Sequence, residues 1–397
     1  MNLFKLKGVA QNYDWGGTSY LSDLIGSNSR GQKFAEYWMG AHDRAPSQVE
    51  GSGEALNDLI RRAPVEALGD RVHARFGCLP FLFKILDVND LLSIQVHPSK
   101  AEAEKGFVRE NEQGVSLGAA HRNYKDDNHK PEIMVALSEF WLLHGFKPEA
   151  QLLQTLQTTT ELSHLTAIFQ QSGYRGLYEK VMEESVKETN RVLKPLIERV
   201  TPLYQRGTLA KSSAEYWAVK AHQTFCEEGD LDKGIYSIFF FNIVKVNEGE
   251  AIFQDAGVPH AYMHGQNIEL MANSDNVLRG GLTPKHIDVA ELLKHISFEA
   301  TNPNILYGEA HAGGMERIYR SPAPDFELSK LDMKHGGVYQ SHSSTFEIMI
   351  VIKGQVNAMS GAESVRIKRG EVLAVMAGVK YEIESEEKAM VYKAKCP

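Results

Sequence analysis

Two stretches of this chain, GEAIFQDAGVPHAY (249–262) and GEVLAVMAGVKYEI (370–383), repeat one pattern and decide the fold. Each begins with Gly-Glu, continues through five residues and then reaches Ala-Gly-Val. Each also places a ring side chain eleven residues after its first glycine, namely His260 in the first copy and Tyr381 in the second. Apolar runs bounded by glycine turns are typical of β-strands, and an internal repeat indicates a duplicated unit. The chain is therefore predicted to contain two related β-rich units.

The residues before the second copy extend this similarity. Four of them are spaced much like the first half of the cupin sequence pattern, and they are Gly336, His342, Glu347 and Gly354. Ser344 stands where that pattern has its second histidine, and the stretch before Glu347 is one residue short. In the first copy, Gly249, Gly257 and His260 fall where the pattern has two glycines and a metal ligand. We expect two cupin jelly rolls, the first with its ligands intact and the second with its ligands eroded. Chance similarity of two glycine turns is the alternative.

The periodicity of apolar residues divides the chain into three predicted domains. Residues 1–148 and 234–315 are strand-like and are expected to form the catalytic cupin domain. Residues 149–233 carry apolar residues at helical spacing, which predicts a helical insertion domain. Residues 316–397 are β-like again and are predicted to form a degenerate, cupin-like C-terminal domain. The predicted fold class is mainly β with α.

Several shorter segments receive their own predictions. Gly173, Gly176, Pro195 and Pro202 are expected to divide the insertion into several helices. The stretch IYSIFFFNIVKV (235–246) is interpreted as a strand, and HIDVAELLKHISF (286–298) as a helix.

The bulk composition excludes several functional classes. The 397 residues carry a formal net charge of −8 without a basic block, which argues against a nucleic-acid groove. No apolar run approaches a membrane span, and the N-terminus lacks the apolar core of a signal peptide. Cys78, Cys226 and Cys396 are far apart and odd in number, as expected of reduced thiols. We expect a cytoplasmic protein with no nucleic-acid, membrane or obligate protein partner.

The stretch LSIQVHPSK (92–100) indicates a metal site. In a strand, Gln95 and His97 point to one face while Ile94 and Val96 point to the other. Glu132 follows Pro131 at the start of an apolar run, where a buried carboxylate needs a compensating charge. With His260, these side chains offer donors that suit a zinc-like ion. The residues alone leave other histidines open as ligands: His121, His129, His144 and His264.

The stretch NSDNVLRGGLTPK (273–285) is the candidate site for an anionic substrate. Arg279 precedes two glycines, and Lys285 stands at a predicted helix start, so both could bind a phosphate. Thr283 is predicted to cap that helix, and Pro284 to be its first residue. Further residues that could contact the anion or a sugar hydroxyl are Ser93, Lys100 and Asp275.

Five motifs in this order resemble the type I mannose-6-phosphate isomerases. They are YDWGG (13–17), QVHP (95–98), NHKPE (128–132), VPHAY (258–262) and NSDNVLRGGLTPKHIDV (273–289). The resemblance implies one zinc ion on Gln95, His97, Glu132 and His260. It also implies an essential Arg279, with roles at the site for Lys130, Asp275 and Lys285.

The resemblance further implies interconversion of mannose 6-phosphate and fructose 6-phosphate, which links mannose to glycolysis and to GDP-mannose synthesis. An aldose–ketose isomerase moves a proton between C1 and C2 through a cis-enediol, so it needs a base. We favour Lys130, which lies two residues before Glu132; a metal-bound water, His97 and Asp275 are the alternatives. The rival functions are a cupin oxygenase or epimerase using iron or manganese, and a sugar-phosphate sensor without catalytic activity.

Overall fold

The computed structural model describes residues 2–27, 31–226 and 229–397. Up to residue 148, short strands alternate with helices. The strands are β1 (Leu3–Lys7), β2 (Val9–Gln11), β3 (Glu36–Gly40), β4 (Gln48–Val49), β5 (Phe81–Val88), β6 (Gln95–Val96), β7 (Glu132–Ala136) and β8 (Phe140–Phe146). The helices are α1 (Tyr20–Leu24), α2 (Leu56–Arg62), α3 (Pro64–Leu68), α4 (Asp70–Phe76) and α5 (Lys100–Glu112).

Helices dominate the next part of the chain, and strands dominate the remainder. The helices are α6 (Glu149–Thr158), α7 (Leu165–Met182), α8 (Val186–Gln205), α9 (Ala214–Phe225), α10 (Gly234–Phe240) and, later, α11 (Val289–His295). The strands up to residue 311 are β9 (Phe241–Val246), β10 (Ala251–Gln254), β11 (His260–Ala272), β12 (Leu278–Arg279), β13 (Ile305–Leu306) and β14 (Glu309–His311). The last strands are β15 (Glu316–Tyr319), β16 (Glu327–Met333), β17 (Gly337–His342), β18 (Glu347–Lys353), β19 (Gln355–Ser360), β20 (Glu363–Lys368), β21 (Val372–Val375), β22 (Lys380–Ser385) and β23 (Ala389–Lys395).

The strands form sheets of eleven, eight and four strands, so the predicted class of mainly β with α is confirmed. The eleven-stranded sheet follows the order β13-β10-β7-β11-β5-β3-β2, and its central strand β11 also pairs with β6 and β8. The eight-stranded sheet has the order β14-β15-β16-β23-β18-β21-β1-β4, and the four-stranded sheet β17-β22-β19-β20. Over the described ranges none of the three sheets closes into a barrel. The domain limits drawn from the sequence stay a prediction.

The segment predicted as a strand over 235–246 is wrong in its first half. Residues 234–240 form α10, in which every residue is buried, and only 241–246 form a strand. A fully buried helix and a fully buried strand both produce an unbroken apolar run, so periodicity does not distinguish them.

Other helix boundaries also differ from the sequence-based expectation. Helix α8 continues through Pro195 and Pro202, and its buried apolar face offsets the lost backbone hydrogen bonds. In α7, the expected break occurs at Gly173, where φ is 62°. Helix α11 begins at Val289, capped by Asp288, so the predicted cap at Thr283 is wrong. Helices α2 to α5 lie in a segment expected to be strands and loops.

Candidate metal centre

Three potential metal ligands lie at the ends of neighbouring strands: His97 just after β6, Glu132 at the start of β7 and His260 at the start of β11. His260 is the first residue of β11 and pairs with Gln95 of β6, and His97 follows that short strand. Glu132 begins β7, where it pairs with Met271 near the far end of β11. All three side chains are buried. Strand pairing therefore brings together residues that are far apart in the sequence.

The two imidazoles face opposite oxygens of one carboxylate. His97 Nε2 lies 3.3 Å from Glu132 Oε1, and His260 Nε2 lies 3.4 Å from Glu132 Oε2. The ring centroids of the histidines are 5.0 Å apart. One potential ligand atom from each residue lies within 4.8 Å of the others. In the parts of the chain that the structure describes, this is the one group of three such residues compact enough to hold a metal ion.

The backbone decides which imidazole nitrogens face the centre. His97 Nδ1 lies 2.9 Å from the carbonyl oxygen of Asn276, and His260 Nδ1 lies 2.9 Å from that of Val258. A carbonyl only accepts, so each Nδ1 must carry the hydrogen, and each Nε2 of a neutral ring presents a lone pair. His97 Nε2 is buried and makes no hydrogen bond. Two lone pairs facing a carboxylate need a cation between them, so these residues fit a metal ion.

Burial and neighbouring charge keep the donors in the protonation states that a metal requires. Burial, followed by the charge of Lys130, lowers the pKa of His97 to about 4, so the ring is neutral at pH 7. Burial opposes ionisation of Glu132, but the charge of Lys130 holds the pKa of its carboxyl well below its usual range. Lys130 Nζ lies 3.0 Å from Glu132 Oε1. The centre thus presents a carboxylate and two neutral imidazoles.

Gln95 and Arg279 are neighbours on adjacent strands. Gln95 of β6 pairs with Arg279 of β12 on one side and with His260 on the other. Both side chains are partly buried, and burial lowers the pKa of Arg279. Directly paired residues of an antiparallel sheet point to the same face, so Gln95 and Arg279 share a face of the sheet with His260.

The loop after β11 forms a second wall of the site. Asp275 accepts a hydrogen bond from Arg44 at 2.6 Å and lies 3.4 Å from His42 Nε2. Burial opposes ionisation of Asp275, but His42 and Arg44 lower the pKa of its carboxyl. Asn276 donates from its amide to the carbonyls of Asp126 and Asn128. The motif NSDN thus fixes the loop that also precedes Lys130.

The remaining predicted substrate contacts are Lys285, Lys100 and Ser93. Lys285 is exposed and follows a bend, where its backbone N–H donates to Thr283 Oγ1. Partial burial of its ammonium lowers the pKa of Lys285, and the positive charges of Arg279 and Arg44 add to that shift. Lys100 donates to the carbonyl of Asp127 at 2.9 Å. Ser93 is partly buried on the segment that leads to Gln95.

The alternative histidines do not join the centre. His144 pairs with His260 across β8 and β11, but its Nε2 faces the Phe253 carbonyl at 3.3 Å. His129 faces Asp325 at 2.9 Å. His121 and His264 contribute to no three-residue cluster among the described residues.

Sequence reasoning missed a buried network of charged residues next to the centre. Lys84 Nζ lies 3.0 Å from Glu269 and 3.5 Å from Glu36, and Tyr262 donates to Glu269 at 2.9 Å. Burial opposes the charge of Lys84, but Glu269 and Glu36 hold its pKa above the ordinary value. A signal was present, because Lys84 interrupts FLFKILDV and Glu269 interrupts NIELMA. A charge inside an apolar strand needs a partner.

Comparison with known proteins shows what this chain is similar to. Residues 3–149 match the family model described as phosphomannose isomerase type I, catalytic domain. Mannose-6-phosphate isomerase of Escherichia coli (strain K12) is 37% identical over 382 residues, which cover 94% of each chain. The enzyme of Mus musculus is 31% identical over 432 residues, covering 99% of this chain and 98% of that one.

Solved structures agree with these sequence comparisons. A zinc-bound crystal structure of mannose 6-phosphate isomerase superposes with a TM-score of 0.88 at 31% identity, covering 100% of both chains. A structure with zinc and yttrium gives a TM-score of 0.89 at the same identity and coverage.

Among the described residues, none of the helices has the length and apolar character that a membrane span requires.

Proposed function

The chain belongs to the type I phosphomannose isomerase family, and we propose that it interconverts mannose 6-phosphate and fructose 6-phosphate with one zinc ion. The supporting observation is the centre itself, where two Nε2 lone pairs face the two oxygens of Glu132. We assign zinc to His97, Glu132, His260 and the amide oxygen of Gln95. This donor set suits zinc, with further positions left for substrate.

Each reaction step is assigned to side chains of this chain. When bound here, zinc acts as a Lewis acid that stabilises negative charge developing on the substrate oxygens. Isomerisation removes the C2 proton of the aldose, returns a proton to C1 and moves a proton from O2 to O1, through a cis-enediol. Lys130 is assigned to the transfer from C2 to C1 as the neutral amine, the form that can accept a proton: its Nζ lies 3.0 Å from Glu132 Oε1, and a positive ion held in the centre would disfavour its charged form. His97 is excluded as the base because its free nitrogen is needed as a ligand.

The cations around the centre are assigned to the negative charges of the substrate. Arg279, beside Gln95, binds the oxygens on which charge develops. Lys285 binds the phosphate, supported by the neighbouring positive charges of Arg279 and Arg44. Asp275 is held by Arg44 and His42 and orients a sugar hydroxyl.

The two remaining substrate contacts are secondary. Ser93 is assigned to the substrate because it lies two residues before Gln95. Lys100 contributes only if it leaves the Asp127 carbonyl that it now contacts.

The setting of the enzyme is also a proposal. Cys78, Cys226 and Cys396 are unpaired, which fits a reducing cytoplasm. We infer that the chain works without an obligate protein partner. Its product would connect mannose to glycolysis and to GDP-mannose synthesis.

The test is turnover of mannose 6-phosphate by purified protein before and after chelation, with zinc restored afterwards. We expect activity to disappear with the metal and to return with zinc at one ion per chain. Full activity without metal would leave an isomerase that does not use this centre. A folded, zinc-loaded protein without turnover would refute the proposed reaction.

A further inference from the structure

The residue that precedes Lys130, the proposed proton-transfer residue, contacts a distant part of the chain. His129 belongs to the NHKPE motif, and its Nε2 lies 2.9 Å from Asp325 Oδ2. Asp325 lies between β15 and β16, which belong to the C-terminal residues 316–397. Its side chain is 2% exposed, whereas that of His129 is 22% exposed. The C-terminal part of the chain therefore contacts the motif that contains Lys130.

Asp325 is held firmly by its own surroundings. Its carbonyl oxygen accepts a hydrogen bond from the Cys396 thiol at 3.3 Å. The next residue but one, Glu327, pairs with Lys395 where β16 meets β23, and Phe326 is in the core. Across the described ranges, His129 is the one side chain that hydrogen-bonds this carboxylate. A buried carboxylate strongly favours keeping such a partner.

The opposite side of the NHKPE motif is also fixed. The Asn128 carbonyl accepts from the amide of Asn276 at 2.9 Å, and the Pro131 carbonyl accepts from the backbone N–H of Ala272 at 3.1 Å.

His129 contacts Asp325 while its neighbour Lys130 contacts Glu132. Lys130 precedes a proline, which favours an extended backbone at Lys130, and adjacent side chains in an extended segment point to opposite sides. The orientation of His129 therefore constrains that of Lys130.

We propose that Asp325 is a positioning residue, which acts through His129 to hold Lys130 at the distance that proton transfer requires. This inference rests on the proposed function, because it presumes that Lys130 moves the proton. It gives residues 316–397 a role in catalysis that the eroded second copy of the cupin pattern does not suggest. A small displacement of a positioned catalytic group lowers the reaction rate strongly, so the effect of Asp325 on kcat should be measurable.

The test uses Asp325→Asn, His129→Gln and the double variant in the full chain. We expect kcat and the exchange of the C2 hydrogen with solvent deuterium to fall together by about 10- to 100-fold. KM for mannose 6-phosphate and the zinc content should stay at the values of the parent protein. The double variant should lose no more than the stronger single variant, because the residues act as one unit. His129→Gln changes a partly exposed side chain, so it tests the link even if Asp325→Asn fails to fold.

Glu316→Gln provides the matched control. Glu316 is a buried carboxylate of the same C-terminal part, bonded to Ser329, Tyr339 and Lys393 at 2.7, 2.9 and 2.8 Å. The Glu316→Gln variant should lower Tm at least as much as Asp325→Asn does, while leaving kcat and the exchange of the C2 hydrogen unchanged. A loss of kcat that follows Tm in both variants would show that Asp325 is merely structural.

Two further outcomes separate this inference from the proposed function. An active parent protein with unchanged exchange in Asp325→Asn and His129→Gln would overturn the inference alone. A zinc-loaded parent protein without turnover would overturn the proposed function and this inference with it.

Discussion

Replacing Asn276 with alanine would remove the side chain that joins the loop after β11 to the NHKPE motif. Asn276 is 1% exposed. Its amide oxygen accepts from the backbone N–H of Lys125 at 2.7 Å, and its amide nitrogen donates to the carbonyls of Asp126 and Asn128 at 2.8 and 2.9 Å. The backbone carbonyl of Asn276 also holds Nδ1 of His97. Asn276→Ala should therefore disturb both the loop and a zinc ligand.

The size of the effect follows from these bonds. With two longer bonds to Asp126 at 3.1 and 3.3 Å, the Asn276 side chain makes five hydrogen bonds. Each contributes about 0.5–1.5 kcal/mol net, so losing them should lower the free energy of unfolding by about 3–5 kcal/mol. The His97 ring also loses part of its support. Removing such support typically weakens metal binding by about 10- to 100-fold. We expect zinc affinity to fall by that factor.

Zinc affinity would be measured by competition with a chelator, and stability by urea denaturation of the metal-free protein. Asn190→Ala is the control, because Asn190 bonds the Gly229 carbonyl and the Leu231 N–H at 2.7 and 2.9 Å within the helical part. It should lower stability without changing zinc affinity. Parental zinc affinity in a destabilised Asn276→Ala would refute the argument that this carbonyl orients the ligand.

Four further predictions concern the centre and its charges. Glu132→Gln should hold less than one zinc per chain by elemental analysis and lose turnover, because a neutral amide no longer balances the ion. Lys130→Ala should keep its zinc but lose about 10²- to 10⁴-fold in exchange of the C2 hydrogen with deuterium, and retained exchange would remove Lys130 from that role. Arg279→Ala should lower kcat/KM by about 10²-fold, and unchanged kinetics would place Arg279 outside the reaction. Metal-free protein should lose stability in urea titrations as pH falls from about 6.5 towards 4. Burial lowers the pKa of His97 to about 4 and that of His144 to about 3, so the unfolded chain binds these protons at a higher pH than the folded chain does. A free energy of unfolding that stays constant over this pH range would contradict both shifts.

The sequence contained enough information to predict the compact part of the centre. The alternation in LSIQVHPSK predicted that His97 lies on a polar face of a strand. The carboxylate at the start of an apolar run indicated that Glu132 needs a positively charged partner. Both residues lie in the three-residue group with His260. The assignment of Gln95 as a ligand stays a prediction. The resemblance to type I mannose-6-phosphate isomerases is confirmed by the comparisons.

Other parts of the site depend on pairings that local patterns do not show. Lys84 and Glu269 are 185 residues apart, and His129 and Asp325 are 196 apart. Each charge could be recognised as needing a partner, but only the pairing of β5 with β11 brings Lys84 to Glu269. Similarly, the helical state of residues 234–240 depends on the surrounding core, which an apolar run does not specify.

The two copies of the repeated pattern show why one fits a metal and the other does not. In the first copy, His260 presents a lone pair to Glu132, and two acceptors at 3.4 Å require a cation. In the second copy, Tyr381 stands at the equivalent position, and its hydroxyl donates to Glu347 at 2.6 Å. Burial raises the pKa of Glu347, and the ammonium of Lys393 opposes that shift. The Tyr381 hydroxyl thus gives the buried Glu347 carboxyl a hydrogen-bond donor where His260 presents a lone pair to Glu132, so the exchange of His for Tyr leaves this carboxyl with a partner that does not require a metal.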